Sequence, residues 1–73
     1  MMIRDMIAQE RKRQDKLHPN FPKELRLAIL VEEVGEISTA LQNGDIENLK
    51  TELTQTAATA IRWLEHIKKE EST

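Results

Sequence analysis

Glutamates at helical spacing are the residues of this chain whose type and position best suit chemistry. Glu32, Glu33 and Glu36 lie close together in one segment, and Glu52 and Gln55 follow later, three residues apart. At about 100° per residue, Glu33 and Glu36 fall on one side of the apolar stripe of their helix, and Glu32 points away from it. Glu52 and Gln55 likewise flank the stripe of the next helix. Two such pairs on adjacent antiparallel helices can converge.

Converging carboxylates indicate a cation site. Three carboxylates brought close together repel one another unless a cation is present. Mg²⁺ and Mn²⁺ prefer such oxygen ligands, together with water and substrate phosphates. The alternative is that these glutamates are only the solvent-facing residues of two helices, where most glutamates lie. Spacing alone leaves both interpretations open.

Two groups of turn-forming residues divide the chain into three segments: His18-Pro19-Asn20-Phe21-Pro22 and Asn43-Gly44-Asp45. Three helices must therefore position these side chains. The apolar residues of the second and third segments recur at intervals of three and four, which is typical of helices. Pro22 suits the first turn of the second helix, Gly44 suits a left-handed stop after it, and Asp45 suits the N-cap of the third. The predicted helices run from Ile3 to Leu17, from Lys23 to Gln42, and from the Asp45 cap to Lys69.

The short connection between the last two helices predicts an antiparallel helical hairpin, to which the short N-terminal helix adds little cover. Two long apolar stripes bury each other only partly, and a chain of 73 residues rarely has a sufficient core. The chain has no cysteine, so disulfides cannot supplement that core. We therefore expect an all-α fold that oligomerisation completes as a four-helix-type bundle, with a homodimer and a homotetramer fitting equally well.

Composition excludes several classes of partner. The net charge of −2 and the pI near 5.6 provide no general attraction for nucleic acid. Charged residues interrupt the longest apolar stretch, so we expect no membrane span and no membrane partner. The short apolar run of the N-terminal segment leads us to expect no secretory signal and a cytoplasmic location, with which the absence of cysteine agrees.

The glutamate pattern resembles that of a known family. Leu30-Val31-Glu32-Glu33-Val34-Gly35-Glu36, followed by Glu52-Leu53-Thr54-Gln55 in an alanine-rich helix, resembles the MazG-like all-α nucleoside triphosphate pyrophosphohydrolases. The family pattern is two glutamates, two residues, a third glutamate, a spacer and Glu-x-x-Asp. Similarity extends over about half of the chain, and it implies that residues 1–73 are a single MazG-like helical domain.

The resemblance implies a metal-dependent hydrolase. It implies that Glu33, Glu36 and Glu52 bind Mg²⁺, with Mn²⁺ as the alternative ion, and that Gln55 is a further ligand where the family usually has aspartate. An amide oxygen still coordinates a hard cation, but it carries no negative charge. The implied reaction is attack of water between the α and β phosphates of a nucleoside triphosphate, releasing a monophosphate and pyrophosphate. Glu36 or Glu32 would position or deprotonate the water.

Residues near the start of the second helix are candidates for substrate contacts. The resemblance implies a base held between helices, and Phe21 could stack on it; as an alternative, Phe21 beside Pro22 staples the start of the helix. Lys23 and Arg26 could reach phosphates, but each is equally interpretable as a surface charge.

Three functions remain open on the sequence. The first is a Mg²⁺-dependent nucleoside triphosphate pyrophosphohydrolase. The second is a catalytically weak or inactive MazG-like bundle that binds a nucleotide or a protein partner, which the substitution of Gln55 for aspartate favours. The third is a purely structural helical oligomer, which the amphipathic stripes alone would support.

Overall fold

The structure, a computed structural model, describes residues 1–72 and contains three α-helices within them. The predicted domain 1–73 ends at Thr73, which lies outside the described residues. None of the helices in this part of the chain has the length and apolar character needed to span a membrane. The helices are α1 (Ile3–Leu17), α2 (Arg26–Asn43) and α3 (Ile46–Glu71), with a 3₁₀ turn over Lys23–Leu25 before α2.

The turn between α2 and α3 follows the predicted local chemistry. Gly44 has a φ of +64°, and its N–H bonds back to the Leu41 carbonyl at 3.2 Å, which closes the end of α2. The Asp45 side chain accepts a hydrogen bond of 3.0 Å from the Asn48 backbone N–H at the start of α3. The boundaries at the far ends differ from expectation: α2 begins at Arg26 because residues 23–25 form the 3₁₀ turn, and α3 continues to Glu71.

The central element is α3, which packs against both other helices. The start of α2 meets the end of α3 through Arg26 and Glu70, so these two helices form the expected antiparallel hairpin. In contrast, α1 and α2 have no backbone contact with each other among the described residues. The result is a flat plate of helices measuring 45 × 28 × 18 Å.

The apolar stripes pack against each other less than their length suggested. The stripe of α2 consists of six residues, of which Leu30 and Ile37 are half-buried. The other four are at least half exposed: Leu27, Val31, Val34 and Leu41. The contact between α2 and α3 instead uses a neighbouring face of α2 that includes Arg26 and Ala40. A stripe identifies the apolar side of a helix, but the small size of the plate leaves much of that side uncovered.

Polar side chains hold the segment between α1 and α2. Arg62 Nε donates to Asp15 Oδ1, and its Nη2 donates to the His18 carbonyl, each at 2.8 Å. Arg26 Nε donates to the Phe21 carbonyl at 2.8 Å, and its Nη2 donates to Glu70 Oε2 at 2.7 Å. Buried arginines therefore fix both ends of this segment against α3.

Phe21 lies between these arginines and is the largest buried apolar side chain among the described residues. The guanidinium carbons of Arg62 and Arg26 are 4.8 and 5.3 Å from its ring centroid. His66 meets the ring edge-to-face at 5.4 Å. The ring therefore anchors the segment before α2, as the alternative interpretation of Phe21 predicted, through cation–π contacts and burial together.

The two glycines give a matched prediction about stability. Gly44→Ala should destabilise the chain by about 1 kcal/mol, because its left-handed φ is unfavourable for a side chain. Gly35→Ala should stabilise it by up to about 1 kcal/mol, because Gly35 lies inside α2 and an added Cβ meets nothing within 4 Å. Urea unfolding followed by circular dichroism measures both. Equal effects of the same sign would contradict this assignment.

Candidate metal centre

The carboxylate cluster lies where the middle of α2 faces the first half of α3. Glu33, Glu36 and Glu52 each offer an oxygen, and these oxygens all lie within 4.8 Å of one another. The hairpin turn makes this possible, because it places residues about eight before Gly44 beside residues about eight after it. The convergence predicted from the two edge pairs is therefore present in the fold.

The burial of these three carboxylates is unequal. Glu52 is buried at 9% exposure, Glu33 is half-buried and Glu36 is exposed. The group thus reaches from the interior of the plate to solvent, so one side remains accessible to a ligand. Glu32 is exposed, and it is not one of the three clustered carboxylates.

Burial and neighbouring carboxylates raise the pKa of two members of the cluster, Glu33 and Glu52. Glu52 shares a hydrogen bond with Glu36, and this bond, together with burial and the charges of Glu36, Glu33 and Glu10, raises the pKa of Glu52 to about 7. Burial is the main cause that raises the pKa of Glu33, followed by the charges of Glu36, Glu10 and Glu32, while Arg13 opposes the shift. A divalent cation relieves such repulsion, so the donor set fits a hard metal ion.

Gln55 lies against the cluster in a position that suits either of two amide orientations. With its nitrogen turned toward the carboxylates, Nε2 donates to Glu52 Oε2 at 3.1 Å and to Glu33 Oε2 at 3.3 Å. Turned the other way, the amide presents its oxygen, which is the atom that a hard cation needs. Gln55 can therefore stabilise the carboxylates by hydrogen bonds or join them as a ligand.

Residues of α1 support the cluster, and the sequence interpretation missed them. Gln14 is buried, and its Nε2 donates to Glu10 Oε2 at 3.0 Å and to the Gln55 carbonyl at 3.2 Å. Arg13 binds Glu10 through two hydrogen bonds of 2.8 and 2.9 Å, which lower the pKa of Glu10. Thr59 completes the contact with a hydrogen bond of 3.4 Å to Gln14 Oε1. The available signal was the spacing of Glu10, Arg13 and Gln14 at intervals of three and four.

The predicted substrate residues divide between two cavities. Phe21, Glu33 and Gln55 line one cavity of about 160 Å³ beside the cluster, together with Arg13 and other residues of α1 and α3. Phe21 also lines a second cavity of about 450 Å³, which includes Lys23 and Arg26 but none of the clustered carboxylates. The fold thus brings Phe21 close to the carboxylates and places Lys23 and Arg26 on another side of the same ring.

Arg26 is already occupied by protein groups. Its side chain is 5% exposed and paired with Glu70, and its Nε donates to the Phe21 carbonyl. Lys23 is exposed in the 3₁₀ turn. The predicted phosphate contacts of Lys23 and Arg26 stay predictions, and a contact by Arg26 would have to compete with its pairing to Glu70.

Comparison with known proteins adds no relative to this chain: no family model, curated protein or solved structure matches it.

The raised pKa of Glu52 predicts how stability varies with pH. Without a bound metal, the pKa of Glu52 in the folded chain is about 7, whereas its ordinary value is 4.5. The folded state therefore binds more protons than the unfolded state between these values, and the contribution of Glu52 to stability falls as pH rises from 4.5 to 7. Urea unfolding in EDTA across this range measures the decline.

Glu52→Gln is the control for that titration, because it keeps the shape of the side chain and removes the ionisable group. We expect the variant to lose less stability than the parent between pH 5 and pH 7, a window that lies within the interval between the two pKa values. An identical pH profile for parent and variant would show that Glu52 ionises normally in the folded chain.

Proposed function

We propose that this chain is a Mg²⁺-dependent nucleoside triphosphate pyrophosphohydrolase of the MazG-like type, acting in the cytoplasm as a homodimer or homotetramer. The observation that carries the proposal is the convergence of Glu33, Glu36 and Glu52 within 4.8 Å. Its products are a nucleoside monophosphate and pyrophosphate, formed by attack of water between the α and β phosphates. Mn²⁺ would serve in place of Mg²⁺ because it accepts the same oxygen ligands.

The metal would be held by the clustered carboxylates and the amide oxygen of Gln55. When bound, Mg²⁺ would neutralise negative charge on the phosphate oxygens and lower the pKa of a water molecule at the site. The proton held by Glu52 must leave for all three carboxylates to become ligands, because a protonated oxygen binds a hard cation poorly. Glu10, which is held by Arg13 and Gln14, adds negative potential behind the cluster.

The carboxylates also have proton-transfer roles in this proposal. Glu36 is exposed at the edge of the cluster, so it can position the attacking water and accept its proton. Glu32 is exposed one turn away and is the other candidate for this role. Phe21 lines the neighbouring cavity, so it stays the proposed stacking contact for a base, but the base would have to displace an arginine that lies over the ring. Lys23 and Arg26 remain the proposed phosphate contacts.

Release of pyrophosphate is the direct test. Purified protein with Mg²⁺ or Mn²⁺ would be incubated with canonical, deoxy and modified nucleoside triphosphates, with EDTA as the metal-free control. We expect equimolar monophosphate and pyrophosphate from at least one triphosphate, and none in EDTA. Absence of both products from every triphosphate in the panel would refute the proposed reaction.

A second candidate is a MazG-like bundle that binds a nucleotide or a protein partner with little or no turnover. Gln55 favours it, since its amide can satisfy two carboxylates by hydrogen bonds without any metal. The discriminating change is Gln55→Asp, which restores the family residue. A large gain in metal affinity with new hydrolysis would favour the binding protein, whereas no change or a loss would show that glutamine is an adapted ligand.

A further inference from the structure

Arg13 of α1 borders the carboxylate cluster. Its side chain lines the cavity of about 160 Å³ that Glu33 and Gln55 also line. Hydrogen bonds to Glu10 are the main cause that raises the pKa of Arg13, and the negative charge of Glu33 adds to their effect. Such an effect of charge falls with distance, so the Arg13 and Glu33 side chains lie near each other. A guanidinium thus lies beside one of the proposed metal ligands.

Glu10 holds this guanidinium in place. Arg13 Nε donates to Glu10 Oε1 at 2.8 Å, and its Nη2 donates to Glu10 Oε2 at 2.9 Å. An exposed ion pair three residues apart on a helix is ordinarily weak, but the Glu10 side chain is 12% exposed and also accepts a hydrogen bond from Gln14 Nε2. Gln14 donates in turn to the Gln55 carbonyl. These bonds fix Arg13 relative to the part of α3 that carries the cluster.

Part of the guanidinium stays available to a ligand. A guanidinium has five N–H donors, of which Glu10 takes two. Among the residues that the structure describes, no group accepts a hydrogen bond from Arg13 Nη1, and the side chain is 52% exposed. The planar donor groups of arginine match the oxygens of a phosphate. Because Glu10 already orders the side chain, a phosphate bound here would cost little additional side-chain entropy.

Other cations are less suited to meet a phosphate at the cluster. Arg62 lines the same cavity, but it is buried at 4% exposure, and its Nε and Nη2 donate to a carboxylate of α1 and to the carbonyl just beyond the end of α1. Lys23 and Arg26 line a cavity that contains none of the clustered carboxylates. Arg13 is therefore the exposed guanidinium of the cavity that includes Glu33.

Electrostatics favours a cation at this position. Glu10 brings a further negative charge close enough to affect Glu33 and Glu52. A phosphate chain that approaches this group of carboxylates meets repulsion, which a bound metal ion would relieve in part. The charge of Arg13 offsets part of the remainder. Arg13 also lines a groove of about 430 Å³ between α1 and α3, which gives a phosphate chain room beyond the small cavity.

We propose that Arg13, positioned by Glu10, binds the phosphate groups of the substrate beside the carboxylate cluster. The inference rests on the proposed function, because it adds a substrate contact to the same site. It can nevertheless fail separately: absence of Mg²⁺ binding by the parent would count against the metal centre, whereas phosphate binding that is independent of Arg13 would count against this contact. Both are binding measurements, and neither requires hydrolysis.

Calorimetric titration of inorganic pyrophosphate into the protein in saturating Mg²⁺ tests the contact, because pyrophosphate carries phosphate groups without a base. Arg13→Gln removes the guanidinium. Arg11→Gln is the matched control, since Arg11 lies on the same helix and pairs with Glu65 at 3.2 Å, but does not line the cavity. We expect saturable binding by the parent and by Arg11→Gln, and at least about tenfold weaker binding by Arg13→Gln. Equal affinity in the two variants, or no saturable binding by the parent, would overturn the proposal.

The Mg²⁺ affinity without pyrophosphate separates a phosphate contact from a structural role. Loss of a positive charge beside Glu33 should leave Mg²⁺ binding unchanged or tighter, because that charge opposes a cation at the cluster. If Arg13 served only to hold Glu10 and α1 in place, Arg13→Gln would weaken the binding of Mg²⁺ and of pyrophosphate together. Retained Mg²⁺ affinity with weakened pyrophosphate binding supports the contact, and a parallel loss of both contradicts it.

Arg13→Lys keeps the test valid if Arg13→Gln fails to fold. The variant retains the positive charge, but an ammonium group cannot form the paired bonds that arginine makes with a carboxylate or a phosphate. We expect its pyrophosphate affinity to lie below that of the parent and above that of Arg13→Gln, with helicity by circular dichroism equal to that of the parent. A folded Arg13→Lys that binds pyrophosphate more tightly than the parent, or no better than a folded Arg13→Gln, would contradict a phosphate contact at this position.

Discussion

Replacing Glu36 by glutamine is expected to reduce metal-dependent hydrolysis by at least about a hundredfold. The change removes one of the three converging carboxylates, the one that shares a hydrogen bond with Glu52. It also removes the exposed group best placed to accept a proton from water. The measurement is the rate of pyrophosphate release at saturating Mg²⁺, with helicity checked by circular dichroism.

Glu71→Gln is the matched control for this variant. Glu71 is exposed at the end of α3, and it is not one of the clustered carboxylates, so the same loss of charge should leave the rate within about twofold of the parent. If Glu36→Gln and Glu71→Gln hydrolyse the substrate equally well, the cluster is not the site of the reaction. An equal decrease in the hydrolysis rate of both variants would show that the change in net charge causes the effect.

Removal of the Phe21 ring is expected to have the largest effect on stability. Phe21 is 5% exposed, and its ring contacts Arg26, Arg62 and His66. Truncating a buried phenylalanine costs about 3 kcal/mol or more, which is comparable to the whole stability of a domain this small. We therefore expect Phe21→Ala to lose most of its helical signal at 25 °C in buffers where the parent is folded.

Two further variants give this result its meaning. Phe21→Leu retains apolar volume, so it should cost less than Phe21→Ala and recover much of the helical signal. Leu17→Ala removes a side chain that is 56% exposed at the end of α1, and it should change the free energy of unfolding by less than about 1 kcal/mol. Equal stability of Phe21→Ala and the parent would show that the ring does not anchor the segment before α2.

Local signals in the sequence were sufficient for the helices and for the cluster. Gly44 and Asp45 act within a few residues of themselves, so their roles at the turn follow from residue type and are seen in the structure. The short turn then fixes which residues of α2 face which residues of α3. This is why spacing indicated that Glu33, Glu36 and Glu52 can converge, although spacing alone also fitted glutamates that only face solvent; the structure brings one oxygen of each within 4.8 Å of the others.

The polar interior could not be predicted in the same way. Gln14, Arg26 and Arg62 are buried, although residues of these types usually lie at the surface. Each is buried because partners from another helix or from the segment before α2 satisfy its hydrogen bonds, and such long-range partners leave no periodic signal in the sequence. The extent of burial of the apolar stripes was uncertain for the same reason, since a helical wheel shows which side is apolar but not what covers it.

Calorimetric titration of Mg²⁺ and Mn²⁺ into the protein tests the metal centre most directly, because it needs no knowledge of the substrate. We predict saturable binding by the parent, retained binding by Glu71→Gln, and at least tenfold weaker binding by Glu33→Gln, in which one of the three clustered carboxylates is neutralised. Titration at pH 6 and pH 8 should show tighter binding at the higher pH, because Glu52 has a pKa of about 7 and must release its proton. Absence of saturable binding by the parent, or equal affinity in Glu33→Gln, would contradict a metal site at this cluster.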